Sequence, residues 1–288
     1  MYKRTSYASR LRLLLTEWVG QMTINQLPDE VLLHIFRFDG AGHYIRRSSW
    51  KWHRSVHVCR RWRSVGFASP NSLQLRLVCG PRTPVELTRI WPPLLIIIRD
   101  ELDLPMPEDY DFVAAIVDPS RVYEISLRRL KRSQFQRLAS AMQGQFSSLI
   151  HLKLYVVDHP APDLPNEFLG RSTPRLQSLR LSCIGFHALP RSLLSATDLV
   201  NLFIFDFPRS AYFSAEAIVS DLALLANLKS FIMGFDFSLS DADRIGLRSP
   251  PLTHAVLPAL TSFEFFGVGE YLENFVARID APLLGSSK

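Results

Sequence analysis

The chain has 288 residues, of which 47% are hydrophobic and 21% charged. That length supports one large or two modest hydrophobic cores, and 100 Leu, Ile, Val, Phe and Met residues exclude wholesale disorder. The formal net charge of +6 is uneven: residues 1–70 carry 12 basic and 4 acidic side chains, the remainder 21 and 23.

A basic front joined to a near-neutral body points to an acidic partner for the front. The longest run free of Asp, Glu, Lys and Arg is 15 residues, short of the ~18 that marks a membrane span. Cys59, Cys79 and Cys183 are odd in number and far apart. They form no disulfide framework and fit a reducing compartment, cytoplasmic or nuclear.

Residues 1–23 place Lys3, Arg4, Arg10 and Arg12 around Leu11, Leu13, Leu14 and Leu15. Arg12 and Glu17 interrupt the apolar run that a secretory signal needs. The segment reads as a basic N-terminal extension.

Next comes Leu27-Pro28-Asp29-Glu30-Val31-Leu32-Leu33-His34-Ile35-Phe36. Pro28 suits the first helical position, and Asp29 and Glu30 complement the positive end of the helix dipole. Val31, Leu32, Ile35 and Phe36 fall on one apolar stripe, and Gly40 and Gly42 end the helix. A second helix is predicted over Val56–Phe67, with Val58, Cys59, Trp62 and Val65 on one face and Ser69-Pro70 ending it. Two helices this short are expected to need a partner or the rest of the chain to cover their apolar faces. The same stripes would also serve as the core of an ordinary helical subdomain.

These residues, followed by Val58-Cys59-Arg60-Arg61-Trp62-Arg63, resemble the F-box, in the version common in large fungal F-box families. The resemblance covers residues 24–70. It implies a small helical module that docks the Skp adaptor of cullin-RING (SCF-type) ubiquitin ligases. By that resemblance the adaptor-binding positions are Leu27, Pro28, Val31, Leu32, Ile35, Phe36, Val58, Cys59 and Trp62. Two departures are visible: Asp39–His53 is long and rich in Gly, Arg and Trp, and Leu73 stands where the family often has Trp.

Residues 71–118 read as connecting strands, Leu73–Val78 and Leu94–Ile98, which cap the body and fasten the front module to it. The acidic, Pro-rich loop Asp100–Asp111 follows. Over residues 119–284 a frame, apolar-x-x-apolar-x-apolar, recurs as Val122/Ile125/Leu127, Leu149/Leu152/Leu154, Leu176/Leu179/Leu181, Leu199/Leu202/Ile204, Leu228/Phe231/Met233 and Leu260/Phe263/Phe265. About a dozen such frames would arise by chance, so the spacing carries the signal. Successive frames begin 27, 27, 23, 29 and 32 residues apart, close to the window of leucine-rich repeats. Helices are predicted between frames at Ser133–Gln143, Ser214–Ala226 and Glu270–Ile279.

This body resembles the irregular leucine-rich repeats that follow F-boxes in many proteins. The expected fold is α/β: a helical F-box module, then an irregular solenoid with parallel strands on the concave face, and a tail at 285–288. The turn positions that regular repeats fill with Asn or Cys here read Val157, Ile184, Phe207, Asp236 and Val268, so variable turns are expected. The resemblance turns the alternate strand residues outward, giving a target-binding surface of Arg128, His151, Lys153, Tyr155, Arg180, Asn201, Phe203, Phe205, Glu264 and Phe266. Twist or covering loops would instead bury its aromatics as core.

Catalytic and cofactor chemistry finds no foothold. His53 and His57 with Cys59 have metal-like spacing but lack a fourth ligand. Glu108/Asp109 and Asp241/Asp243 sit in loop-like contexts and read as solvated surface or caps. No GxSxG, P-loop, GxGxxG or HExxH is present. Arg46, Arg47, Lys51, Arg54, Arg60, Arg61 and Arg63 with Trp50, Trp52 and Trp62 have the composition of a nucleic-acid surface without its motifs. The expectation is a non-catalytic ligase subunit, needing no cofactor or metal, whose partners are the Skp adaptor with its cullin-RING ligase and a target protein. The alternatives are a non-ligase scaffold and a nucleic-acid-associated protein.

Overall fold

The computed structural model describes residues 26–40, 56–70, 73, 75–80, 94–100, 107, 112–116, 118–186, 189, 191–208, 214–235, 254–267 and 269–285. The chain divides into two compact units, Met1–Leu77 and Val78–Lys288.

In the first unit, α1 spans Asp29–Gly40 and α2 spans Arg60–Ala68. The Pro28 carbonyl accepts from the N–H groups of Val31 and Leu32, both at 3.1 Å, so the first turn closes at the expected start. The second helix begins later than predicted. Cys59 is its N-cap, with Sγ accepting from the Trp62 N–H at 3.5 Å, and Val58 lies before the helix. The two helices bury Leu32, Phe36, Trp62 and Val65 together, with Leu27, Leu33, Cys59 and Leu73 packed alongside. The two helices and their flanks make a shared core, to which Leu27, Cys59 and Leu73 outside the helices contribute. Leu73 belongs to this cluster and not to a strand.

The second unit is built on strands β1 (Arg76–Cys79, straddling the division), β2 (Leu95–Arg99), β3 (Val122–Leu130), β4 (His151–Val156), β5 (Ser178–Ser182), β6 (Asn201–Phe207), β7 (Ser230–Phe235), β8 (Ala255–Val256), β9 (Ser262–Phe266) and β10 (Ile279–Asp280). Eight of them form one sheet in chain order, β1 to β7 and then β9, while β8 pairs with β10. Every pairing from β2 to β9 is parallel. Parallel neighbours need long crossovers, and the 23–32-residue spacing from one frame start to the next supplies them.

The frame residues meet in register. Ile125, Leu152, Leu179, Leu202, Phe231 and Phe263 form one ladder, and Leu127, Leu154, Leu181, Ile204, Met233 and Phe265 a second. The first residue of each frame is buried and, from Leu149 onward, turns the chain by donating its N–H to the carbonyl three residues back. The bonds run Leu149 to Phe146, Leu176 to Thr173, Leu199 to Ala196, Leu228 to Leu225 and Leu260 to Leu257. Leu284 to Ala281 repeats the same bond.

Behind the sheet lie α3 (Phe112–Ala115), α4 (Arg132–Ala141), α5 (Arg191–Leu194), α6 (Ala215–Leu222) and α7 (Gly269–Val276). They bury Phe135 and Leu138, Ile218 and Leu222, and Tyr271 and Phe275. The predicted helices are present but shorter. In the last two strands aromatics replace aliphatics in the ladders. Phe231, Phe263 and Phe275 form a triangle of rings with centroids 5.1 to 5.9 Å apart, and Phe265 stacks on Tyr271 at 5.7 Å.

Candidate functional site

The first candidate surface belongs to the helical module. Arg61 ties its two halves: its guanidinium donates to the Leu27 carbonyl and to Asp29 Oδ1, the latter at 2.6 Å, fixing where the chain enters α1. The ion pair is exposed and adds well under about 1 kcal/mol; its contribution is alignment. Trp62 meets Phe36 edge to face, with centroids 5.2 Å apart. The Trp62 Nε1–H is buried with no acceptor among the described residues. Gly66 matters here because a Cβ would stand 3.0 Å from Val56 Cγ1, so glycine lets Val56 pack on α2.

The expected single stripe on α1 splits into two. Leu32, fully buried, and Phe36, one turn on, point inward, whereas Val31 and Ile35 are 40% and 38% exposed. Leu32, Phe36 and Trp62 thus fill the module's own core and are not open to a partner in this arrangement. Cys59 is half-buried as a cap, and Leu27 is half-buried beside the core. An approaching surface meets Pro28, Val31, Ile35 and Val58, the last 53% exposed. Val31 and Ile35, one turn apart on α1, and Val58 before α2 are the module's exposed large apolar side chains among the described residues.

The second candidate surface is the outward face of the sheet. Glu124, His151, Ser178, Asn201, Ser230 and Ser262 form one cross-strand row, and Ser126, Lys153, Arg180, Phe203, Ile232 and Glu264 the next. A third holds Tyr155, Ser182 and Phe205, continued by Gly234 opposite Phe266. The register thus assembles the predicted residues on one face, with Arg128 further along β3. Phe203 is the correction. The Arg180 guanidinium lies over its ring at 3.9 Å, and the ring is only 8% exposed, so Phe203 is a platform beneath a cation. Phe266 is 56% exposed and leans on the half-buried Phe205 with centroids 6.0 Å apart.

Several residues that shape this face were not singled out in the sequence. Arg99 clamps Glu124 through two hydrogen bonds of 3.0 and 2.8 Å, and Asp100 Oδ2 accepts from the Arg128 backbone N–H at 2.7 Å. Gly234 lies where a Cβ would stand 3.3 Å from Phe205 Cδ1 and 3.4 Å from Phe266 Cβ, so it opens the gap those rings share. A glycine inside a strand frame was the available signal. At the strand ends, Cys183 and Asp206 both take positive φ, 55° and 52°. Asp206 Oδ2 accepts from Ser182 Oγ at 2.8 Å, so the adjacent strands β5 and β6 hold these turns together. Burial first, then the neighbouring Cys183 and Asp206, push the Tyr155 phenol upward.

Among the described residues no three His, Cys, Asp or Glu side chains gather as a metal site. His53, both acidic pairs, and the Arg, Lys and Trp residues of 46–54 lie outside the described residues. No helix among the described residues is long and apolar enough to cross a membrane. No curated protein matches the chain. Residues 24–69 match the family model described as F-box-like, so the unit containing α1 and α2 carries an F-box-like domain.

Proposed function

We propose that this chain is the substrate-recognition subunit of an SCF-type (cullin-RING) ubiquitin ligase, without catalytic residues of its own. The observation carrying this reading is the F-box-like match at residues 24–69, since F-box domains generally bind Skp-type adaptors. The exposed Val31, Ile35 and Val58 support it by offering apolar surface that the module leaves uncovered. The body, read as an irregular leucine-rich-repeat array, holds the target on the outward face of its sheet. The parallel strands in chain order and the in-register ladders support that reading. The chain contributes proximity and orientation, and a partner enzyme transfers ubiquitin. Its three free cysteines suit work in the cytoplasm or nucleus.

The test leaves the module's core intact. Val31→Gln, Ile35→Gln and Val58→Gln together replace exposed apolar side chains by a residue that tolerates a helix. The surface still open on the three amounts to little more than one whole side chain. Burying it is worth about 2–4 kcal/mol, a loss of about 30- to 700-fold in affinity. Wild-type chain expressed in cells should bring down the Skp adaptor and cullin, and the triple variant should not, with unchanged circular dichroism. A folded wild type that recovers neither would overturn the reading.

A further inference from the structure

From β4 onward each strand is joined to the next by the same pair of bonds at its entry. The carbonyls of Ile150, Gln177, Val200 and Lys229, each one residue before its strand, accept from two consecutive N–H groups of the following strand's entry, at 2.8 to 3.1 Å. The Thr261 carbonyl, next in this series, meets no donor among the described residues. β9 is the last strand in the sheet order. Because the Ser262 N–H points back to Lys229, alternation along the strand turns the N–H and C=O groups of Phe263 and Phe265 to the free edge. Side chains are uncovered there too. Phe263 and Phe265 are half-buried, whereas the residues they continue in the two ladders on β4 to β7 are at most 1% exposed. Leu284 repeats the turn bond of Leu260 but is 38% exposed, where Leu260 is fully buried. Between the two rings, Glu264 is exposed on the outward face and has no hydrogen bond or ion pair among the described residues.

We infer that β9 takes up an extended strand of a partner protein, parallel to itself and reading apolar, Lys or Arg, apolar opposite Phe263, Glu264 and Phe265. This strand addition is independent of the adaptor docking proposed above. The Thr261 carbonyl sets the direction, since it awaits N–H donors from a chain entering as β9 itself enters beside Lys229. An apolar residue at every second position continues both core ladders. The cation between them meets the Glu264 carboxylate, as opposite charges on neighbouring strands do. Main-chain hydrogen bonds then supply the affinity and the alternate side chains the selectivity. A second copy of this chain fits less well. Two-fold pairing of β9 with itself is antiparallel, and the register that sets Phe263 against Phe265 sets Glu264 against Glu264.

The probe is a fluorescein-labelled peptide, Gly-Thr-Val-Lys-Val-Tyr-Gly, titrated into the full-length chain by anisotropy, with amide exchange read by NMR on the saturated complex. It should bind, and the Phe263 and Phe265 amides should exchange about tenfold more slowly, while those of Leu179 and Leu181 in β5 keep their rates. A peptide of the same composition with its lysine moved opposite Phe263 should bind about tenfold more weakly, because a charge then enters the core ladder. Glu264→Lys changes an exposed side chain and leaves the core untouched. It should weaken the peptide about threefold and transfer the preference to a peptide with Glu in place of Lys. Failure of the folded chain to bind overturns the inference, as does binding that leaves the Phe263 and Phe265 amides unprotected. An unchanged preference in Glu264→Lys does the same. Protection of those two amides that rises with chain concentration in the absence of peptide also overturns it, and would make a second copy the occupant.

Discussion

Leu32→Ala should unfold the helical module while leaving the sheet intact. Leu32 is fully buried and packs with Phe36, Trp62 and Val65 in the module's core. Truncating a leucine at such a site costs about 2–5 kcal/mol, part from lost transfer energy and part from the cavity left behind. A domain covering residues 24–69 has a total stability of only about 2–7 kcal/mol on ordinary per-residue values. The substitution therefore removes much or all of it. Native-state amide exchange on the full chain reads the result segment by segment. Amides of α1 and α2 should exchange about 30- to 5,000-fold faster, a range set by the same 2–5 kcal/mol. The amides of Leu179 and Leu181 in β5 should keep their rates, because they lie in the other compact unit. Acceleration of β5 by the same factor would mean that the chain unfolds as one block. A change below about threefold in α1 would mean that Leu32 is not held in a packed core.

Gly170 has φ 58°, and a Cβ there would stand 2.5 Å from the Gly144 carbonyl oxygen. Gly170→Ala should therefore cost at least about 2 kcal/mol in urea unfolding. Gly269→Ala, where a Cβ meets nothing within 4 Å, should stay within about 0.5 kcal/mol. Burial pushes the Cys79 thiol from 9.0 up to about 11, against a lowering influence from Arg121. Above pH 9.0 the unfolded chain loses that proton while the folded chain keeps it, so stability should fall between pH 9.0 and about 11. Cys79→Ala should flatten that slope, and in the native wild type Cys79 should resist alkylation at pH 8 while the half-buried Cys59 reacts.

The sheet was legible in the sequence because its signal is periodic and redundant. Six frames at similar spacing each carry three apolar residues, and hydrogen bonding in register turns that repetition directly into two ladders. Helix positions between frames were legible for the same reason, although their ends moved where local bonds decided. Gln134 Oε1 accepting from the Lys131 N–H starts α4 one residue earlier than Ser133. The β8–β10 pair was missed, since two-residue strands carry no period. On α1, Val31 and Leu32 are equally apolar, and nothing local says which faces α2. That choice is made by Trp62 and Val65, about thirty residues away. Phe203 was misjudged because its cover, Arg180, comes from the neighbouring strand and adjacency appears only once the register is known.

A strand order that follows chain order has a consequence for how the body is made. Each strand from β3 to β7 pairs first with one already synthesised, so the sheet can grow during translation by docking every new strand on a finished edge. In the two core ladders the residues from β3 to β6 are aliphatic. The Phe231–Phe263–Phe275 and Phe265–Tyr271 contacts form only once β9 and α7 have left the ribosome. The aromatic contacts thus join a sheet whose aliphatic ladders from β3 to β6 are already in place.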